Sequence, residues 1–177
     1  MMSKGSYLFK QVMQFIGYMV LQLIGVQSLI ALPYVRCFIY VSVLLLLFRL
    51  RTHMPLQMLF AFGLGLLMDA FYETLGIHAS ASVLLVYVKG FLSKIMLPAS
   101  SSSAVKPGLT SLGFANFSIF ILVSLFIHHG AVFCLEACNS GLFLLAMRKA
   151  FLSTLVTYLV IISIQVFFNL VANDRLS

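Results

Sequence analysis

Charged residues are scarce in this sequence. Only 8% of the 177 residues are charged, four of them acidic and eleven basic, whereas 62% are hydrophobic. A soluble chain of this length cannot hide so much apolar surface in one core. The composition therefore excludes an ordinary soluble domain and predicts an all-α integral membrane protein.

Several other patterns are missing. The apolar residues form continuous blocks without strict alternation, which excludes a porin-type β-barrel. The basic residues stand singly or in pairs without interleaved aromatic residues, which argues against nucleic-acid binding. Three cysteines do not make a disulfide framework. No nucleophile motif, phosphate loop, dinucleotide fingerprint or metal-hydrolase motif occurs, so we expect neither an enzyme nor a cofactor.

The apolar runs predict one integral membrane domain, 1–177, which contacts the lipid bilayer through six transmembrane helices. Pro33 ends the first run and Pro55 opens the third, as proline does at helix boundaries. A Ser/Pro/Gly-rich stretch, 98–113, predicts a mobile loop. The expected helices are about 11–31, 35–50, 55–72, 79–97, 116–137 and 144–171.

The basic residues predict the orientation, because cytoplasmic loops carry an excess of Lys and Arg. With the N-terminus and the C-terminus both cytoplasmic, that side receives seven: Lys4, Lys10, Arg49, Arg51, Lys94, Lys106 and Arg175. The outer side receives three, Arg36, Arg148 and Lys149, and Lys89 is left near mid-membrane. The loop 98–113 is then cytoplasmic, and the carboxylates of Asp69, Glu73 and Glu136 lie toward the outer face.

One stretch combines small residues with two of the four acidic residues. On an ideal helix Ala61, Gly65, Asp69 and Glu73 follow at intervals of four and share one face. Small residues there allow another helix to come close, and the carboxylate needs a partner. Asp69 then marks either a site for a substrate, an ion or a partner helix, or a buried pair with Lys89, a histidine or a hydroxyl.

A second group comprises His128, His129 and Glu136. His129 and Glu136 are seven residues apart and share a helix face, a spacing that can contribute to a metal site. Histidines hydrogen-bonded to neighbouring helices are the simpler interpretation, which we favour, so no metal site is predicted. A proton relay through Asp69, His128 and Glu136 is a further hypothesis.

The motifs resemble those of a known family. The run 63–69, Gly-Leu-Gly-Leu-Leu-Met-Asp, followed by 74–79, Thr-Leu-Gly-Ile-His-Ala, is similar to the Gly-Leu-Leu-x-Asp … Gly-x-His signature of MreD, the rod shape-determining membrane protein family. The segments 128–136 and 148–154 resemble one branch of that family. The resemblance extends from the second expected helix onward and agrees in length and span number.

This resemblance implies a non-enzymatic, multi-pass protein of the bacterial inner membrane that takes part in cell elongation and peptidoglycan synthesis. Its implied partners are MreC and, through it, MreB, RodA and a class B penicillin-binding transpeptidase. Family position singles out Gly65, Asp69, Gly76 and His78. The remaining candidates for partner or packing contacts are Glu73, Lys89, His128, His129 and Glu136.

The MreD family is also similar in fold to the S components of energy-coupling-factor transporters, which have six helices. The alternative function is therefore a substrate-binding S component of a vitamin or micronutrient transporter. S components commonly carry small-xxx-small pairs on their first helix, whereas here Gly17 and Gly25 are eight apart. That departure favours the MreD interpretation.

Overall fold

The structure is a computed structural model. It describes residues 35–41, 53–96, 109–138 and 140–173, together with Met13, Ile16, Gly17, Val20 and Gln22. Within these ranges the chain forms four α-helices and one 3-10 turn, Ser140–Leu142. The α-helices are α1 (Met54–Tyr72), α2 (Ile77–Met96), α3 (Leu109–Ala137) and α4 (Phe143–Asn173).

Three of these helices contain a segment long and apolar enough to cross a membrane, namely Met54–Tyr72, Gly113–Ala137 and Phe143–Ile164. The prediction of an all-α chain with membrane-length helices is thereby confirmed for the described residues. The expected helix 11–31, apart from the five single residues, lies outside them. So do 42–50 of the second expected helix and 98–108 of the expected loop.

The observed helices differ from the expected ones mainly at the start of α3. Residues 109–112 are helical, where a loop was expected, and Gly113 follows with φ 74° and ψ 160°. A backbone at positive φ suits glycine, which has no Cβ to clash. This glycine separates one helical turn from the continuous helix that runs to Ala137.

The expected helix 35–50 is wrong at its beginning. Residues 35–38 are not helical and residues 39–40 form a turn, with Val41 the first helical position. Cys37, Phe38, Ile39, Tyr40 and Val41 are nonetheless all buried. The apolar run correctly predicts burial but not conformation. These residues can be buried without being helical because side chains elsewhere in the chain form hydrogen bonds with their backbone groups.

Successive helices are neighbours: α1 packs on α2, α2 on α3, and α3 on α4. The buried stripe of α1 has helical spacing and consists of Ala61, Leu64, Gly65, Met68 and Asp69. Its opposite side exposes large apolar residues, as a helix facing lipid does: Leu59, Phe60, Phe62, Leu66, Leu67 and Phe71.

Glu73 does not continue the stripe. The helix ends at Tyr72, and Glu73 takes a left-handed conformation with φ 53° and ψ 40°. Its side chain is exposed. The expected face therefore comprises Ala61, Gly65 and Asp69, and the expectation for Glu73 is wrong because the helix stops one residue earlier.

Gly65 lies where α1 and α2 touch backbone to backbone. A Cβ built on Gly65 would stand 2.4 Å from the Ala79 Cα and 2.7 Å from both the Ala79 N and the His78 carbonyl oxygen. None of these backbone atoms can rotate away as a side chain would. The close approach of the two helices thus requires glycine at this position.

We expect Gly65→Ala to destabilise the protein by about 1 to 3 kcal/mol or more, because the added methyl group forces α1 and α2 apart. Thermal unfolding of the detergent-solubilised protein measures the loss. Gly63→Ala is the matched control, since a Cβ on Gly63 meets nothing within 4 Å. Equal melting temperatures for the two variants would contradict the close contact.

Candidate functional site

Asp69 caps the beginning of α2. Its Oδ1 accepts a hydrogen bond from the His78 N–H at 2.9 Å, and its Oδ2 accepts one from the Ala79 N–H at 3.0 Å. The first N–H groups of a helix have no partner within the helix, and a carboxylate also suits the positive end of the helix dipole. Asp69 thus joins the last turn of α1 to the first turn of α2.

The turn between these helices adds two side-chain donors to the same carboxylate. The Thr74 hydroxyl donates to Asp69 Oδ1 at 2.5 Å, and His78 Nδ1 lies 3.1 Å from that oxygen and 2.9 Å from Thr74 Oγ1. Because the single hydroxyl proton of Thr74 is already engaged, His78 Nδ1 must carry the proton of this contact. In neutral His78, Nε2 is consequently an acceptor.

The segment 35–41, which is buried from Cys37 onward, obtains backbone hydrogen bonds from distant side chains. The Arg36 N–H donates to Ser153 Oγ at 3.0 Å, and the Phe38 N–H donates to Thr157 Oγ1 at 3.3 Å. Both acceptors lie on α4. Buried backbone groups need partners, and these hydroxyls supply them where no helix or strand does.

The side chain of Gln22 forms further hydrogen bonds with the same segment. Its amide nitrogen donates to the Cys37 carbonyl at 3.1 Å, and its amide oxygen accepts from the Tyr40 N–H at 3.2 Å. The nitrogen also donates to the Tyr72 hydroxyl at 2.9 Å. One fully buried amide therefore holds two backbone groups and the last residue of α1.

Thr157 is part of a short chain of hydrogen bonds. His129 Nδ1 lies 2.8 Å from the Leu125 carbonyl, an acceptor, so Nδ1 is the protonated nitrogen and Nε2 accepts. Thr157 Oγ1 lies 3.3 Å from that Nε2. Thr157 thus accepts from Phe38 and donates to His129, which orders α3, α4 and the buried segment relative to one another.

Phe38 is the centre of an aromatic and histidine cluster. Its ring stacks on His129 with centroids 5.1 Å apart and meets His78 edge-on at 5.2 Å. The ring of Tyr40 lies 5.9 Å away, and the Tyr40 hydroxyl lies 2.6 Å from His128 Nε2. Both edge-to-face and stacked arrangements are favourable for such rings. The other rings beside Phe38 belong to Tyr72, His128 and Phe133.

Glu136 and His129 do not share a site. Glu136 forms an ion pair with Arg36, a partly exposed contact in which both side chains reach solvent or lipid. His129 is fully buried and contacts Leu125 and Thr157. Because the Glu136 carboxylate pairs with Arg36, the structure gives no support for Glu136 as the third member of a proton relay with Asp69 and His128.

Lys89 lies far from Asp69. Its ammonium is 3.5 Å from Gln57 Oε1, and the residue is 2% exposed. Gln57 precedes Asp69 by twelve residues of α1, which is about 18 Å along the helix axis. Asp69 and Lys89 therefore do not pair, and Lys89 lies near the start of α1 instead of at its middle.

Several residues of the site carry no recognisable signal in the sequence. Phe38 and Tyr40 belong to an apolar run that resembles any membrane helix, and Thr157 resembles an ordinary packing residue. Gln22 and Ser153 are conspicuous as polar residues within apolar runs, which predicts that they face protein. That signal does not reveal their partners.

The polar contacts of the site connect elements that are distant in the sequence. In the part of the chain that the structure describes, no three His, Cys, Asp or Glu side chains come together as a metal site would require. The polar groups instead hold the α1–α2 turn, the segment 35–41 and the middle of α3 and α4.

A comparison of the chain with protein-family models, curated proteins and solved structures finds no match.

Asp69→Ala should lower the free energy of unfolding by about 2 kcal/mol or more, because it leaves two buried N–H groups without an acceptor. Asp69→Asn should lose less, since its remaining carbonyl oxygen still accepts. Chemical denaturation in detergent measures both. The matched control is Glu73→Gln, which neutralises an exposed carboxylate four residues away, and a loss as large as that of Asp69→Ala would contradict the capping role.

Thr157→Val should destabilise the protein by about 1 to 3 kcal/mol, because it keeps the shape of the side chain but removes the acceptor of the Phe38 N–H and the hydroxyl beside His129 Nε2. Thermal unfolding is again the measurement. Thr154→Val is the control one turn away, since the buried Thr154 hydroxyl has no hydrogen-bond partner among the described residues. That variant should be neutral or stabilising.

Proposed function

We propose that the chain is a six-helix protein of the bacterial inner membrane that acts, without enzymatic activity, in the cell-elongation machinery together with MreC. One observation carries the proposal. The two halves of the MreD-like motif contact each other directly, Gly65 against Ala79 and Asp69 against His78 and Ala79. The motif residues Gly65, Asp69 and His78 thus each have a structural role at the same junction of two helices, which supports the proposal.

The proposed orientation places the polar end of the bundle outside the cytoplasm. This end, where α1 and α3 finish and α2 and α4 begin, carries Asp69, Glu73, Arg36 and Glu136. We base this orientation on the sequence, in which seven basic residues are expected on the cytoplasmic side, with both termini, and three on the outer side.

The surface offered to a partner is then the exposed α1–α2 turn. Asp69 is 5% exposed and bonded within the chain, so it positions the turn and does not itself contact a partner. Leu75 is fully exposed, at 101%, beside the exposed Glu73. A large apolar side chain held out by a rigid turn is suited to a protein contact.

The test is affinity purification of the protein from its native membrane in mild detergent. We expect MreC and the peptidoglycan synthases to be recovered with it. Leu75→Ser should reduce MreC recovery at least tenfold while the melting temperature stays unchanged. Leu144→Ser is the matched control, because Leu144 is also a largely exposed leucine at the same end of the bundle.

Two results would contradict the proposal. The first is purification of the intact protein without MreC. The second is normal rod shape and normal MreC recovery in cells that carry Asp69→Ala, since the turn that displays Leu75 depends on the Asp69 cap.

One observation favours the S-component alternative. His78 on α2 and His128 on α3 are buried, and one ring nitrogen of each forms no hydrogen bond of normal geometry within the described chain. Such groups can line a site for a small molecule. Recovery of transporter ATPases, or of a tightly held vitamin-like molecule, in the same purification would support this function instead.

A further inference from the structure

Four buried polar residues lie along the contact between α2 and α3. His78 and Ser82 are one turn apart on α2, and Ser124 and His128 are one turn apart on α3. All four are 0% exposed. We call this group the polar seam.

Tyr40 connects the two sides of the polar seam. Its hydroxyl bonds His128 Nε2 and also faces Ser82. Its ring lies 6.2 Å from the ring of His78, and Phe38 contacts both histidines. The polar groups of α2 and α3 are therefore close to one another and surround the same pair of aromatic rings.

Each residue of the polar seam has one polar atom that forms no hydrogen bond of normal geometry within the described part of the chain. These atoms are His78 Nε2, Ser82 Oγ, Ser124 Oγ and His128 Nδ1. Ser82 also lies beside Tyr40, and His128 beside the Ala81 backbone, in contacts outside normal hydrogen-bond geometry. Folded proteins leave few buried polar atoms unsatisfied, because each costs about 1 to 3 kcal/mol. Four such atoms in two adjacent helical turns point to a molecule that bonds them.

The chemistry of the seam restricts what that molecule is. The carboxylate of Asp69 is already occupied by Thr74, His78 and Ala79, so no free charge faces the seam from this group. His78 Nε2 requires a donor, whereas serine hydroxyls both donate and accept. A small neutral molecule with donors and acceptors fits, and water is the smallest one.

We propose that the polar seam binds internal water, which joins the Asp69–His78 group to the Tyr40–His128 pair in one hydrogen-bonded network. The water donates to His78 Nε2 and exchanges hydrogen bonds with the two serine hydroxyls and with His128 Nδ1. This inference does not depend on the proposed function, since it rests only on buried atoms and their chemistry.

Hydroxyl-radical footprinting by X-ray radiolysis tests the proposal, because radicals generated from bound water modify the side chains beside it. Each labelling rate in the full-length protein is divided by the rate of the same residue in the unfolded chain. Tyr40 and His128 should be labelled at least tenfold more, on this scale, than Phe120, which is buried in the apolar core. Equal protection of the three residues would overturn the proposal.

A serine variant gives a second test with opposite expected signs. If water bonds the seam, Ser124→Ala removes one of its partners, so the melting temperature falls and Tyr40 labelling decreases. If the seam is dry, the same variant removes an unsatisfied hydroxyl and the melting temperature rises. Ser163→Ala is the control, because the exposed Ser163 bonds its own helix at Leu159 and should shift neither quantity.

The occupant is identified by mass spectrometry of the extract from the denatured, purified protein. Absence of any stoichiometric organic molecule, together with labelling of Tyr40, supports water. Recovery of a stoichiometric organic molecule, with its loss in the Ser82→Ala variant, would overturn the water site and assign the polar seam to that ligand.

Discussion

Buried backbone groups that lie outside helices need partners, and this constraint shapes the centre of the molecule. It applies at the start of α2, where Asp69 accepts two N–H groups. It applies again along 35–41, where the backbone groups form hydrogen bonds with the side chains of Gln22, Ser153 and Thr157 instead of with one another. Non-helical chain at such depth is tolerated only where protein surrounds it. The fold therefore depends on these polar side chains, because they pair the backbone groups that no helix pairs.

These polar contacts also determine which helices meet. The ring of Phe38 touches Tyr72 at the end of α1, His78 at the start of α2, and both His128 and His129 on α3. The ring can sit there only if its backbone is held, which the Thr157 hydroxyl on α4 accomplishes. One residue of an extended segment thus fixes all four helices relative to one another.

The sequence is informative where partners are close along the chain. Gly65 and Asp69 share a helix face by spacing alone, and a short turn brings that face to His78, so their contact can be predicted. The partner of Phe38 is 119 residues away, and no periodicity reveals it. The expected Asp69–Lys89 pair failed for a different reason. Antiparallel packing across the short turn sets Lys89 level with Gln57, near the start of α1 and far from Asp69.

The polar network accounts for specificity better than apolar packing does. Helices with apolar exteriors gain little from burying those surfaces against each other when the surroundings are equally apolar. The contacts that distinguish one arrangement from another are then backbone approach, as at Gly65, and hydrogen bonds with a defined direction, as in the chain from Phe38 through Thr157 to His129. These directional contacts hold in one shape the α1–α2 turn, which we propose as the contact surface for a partner protein. The histidines at the centre take part in this network as hydrogen-bonding groups, His128 with Tyr40 and His129 with Leu125 and Thr157.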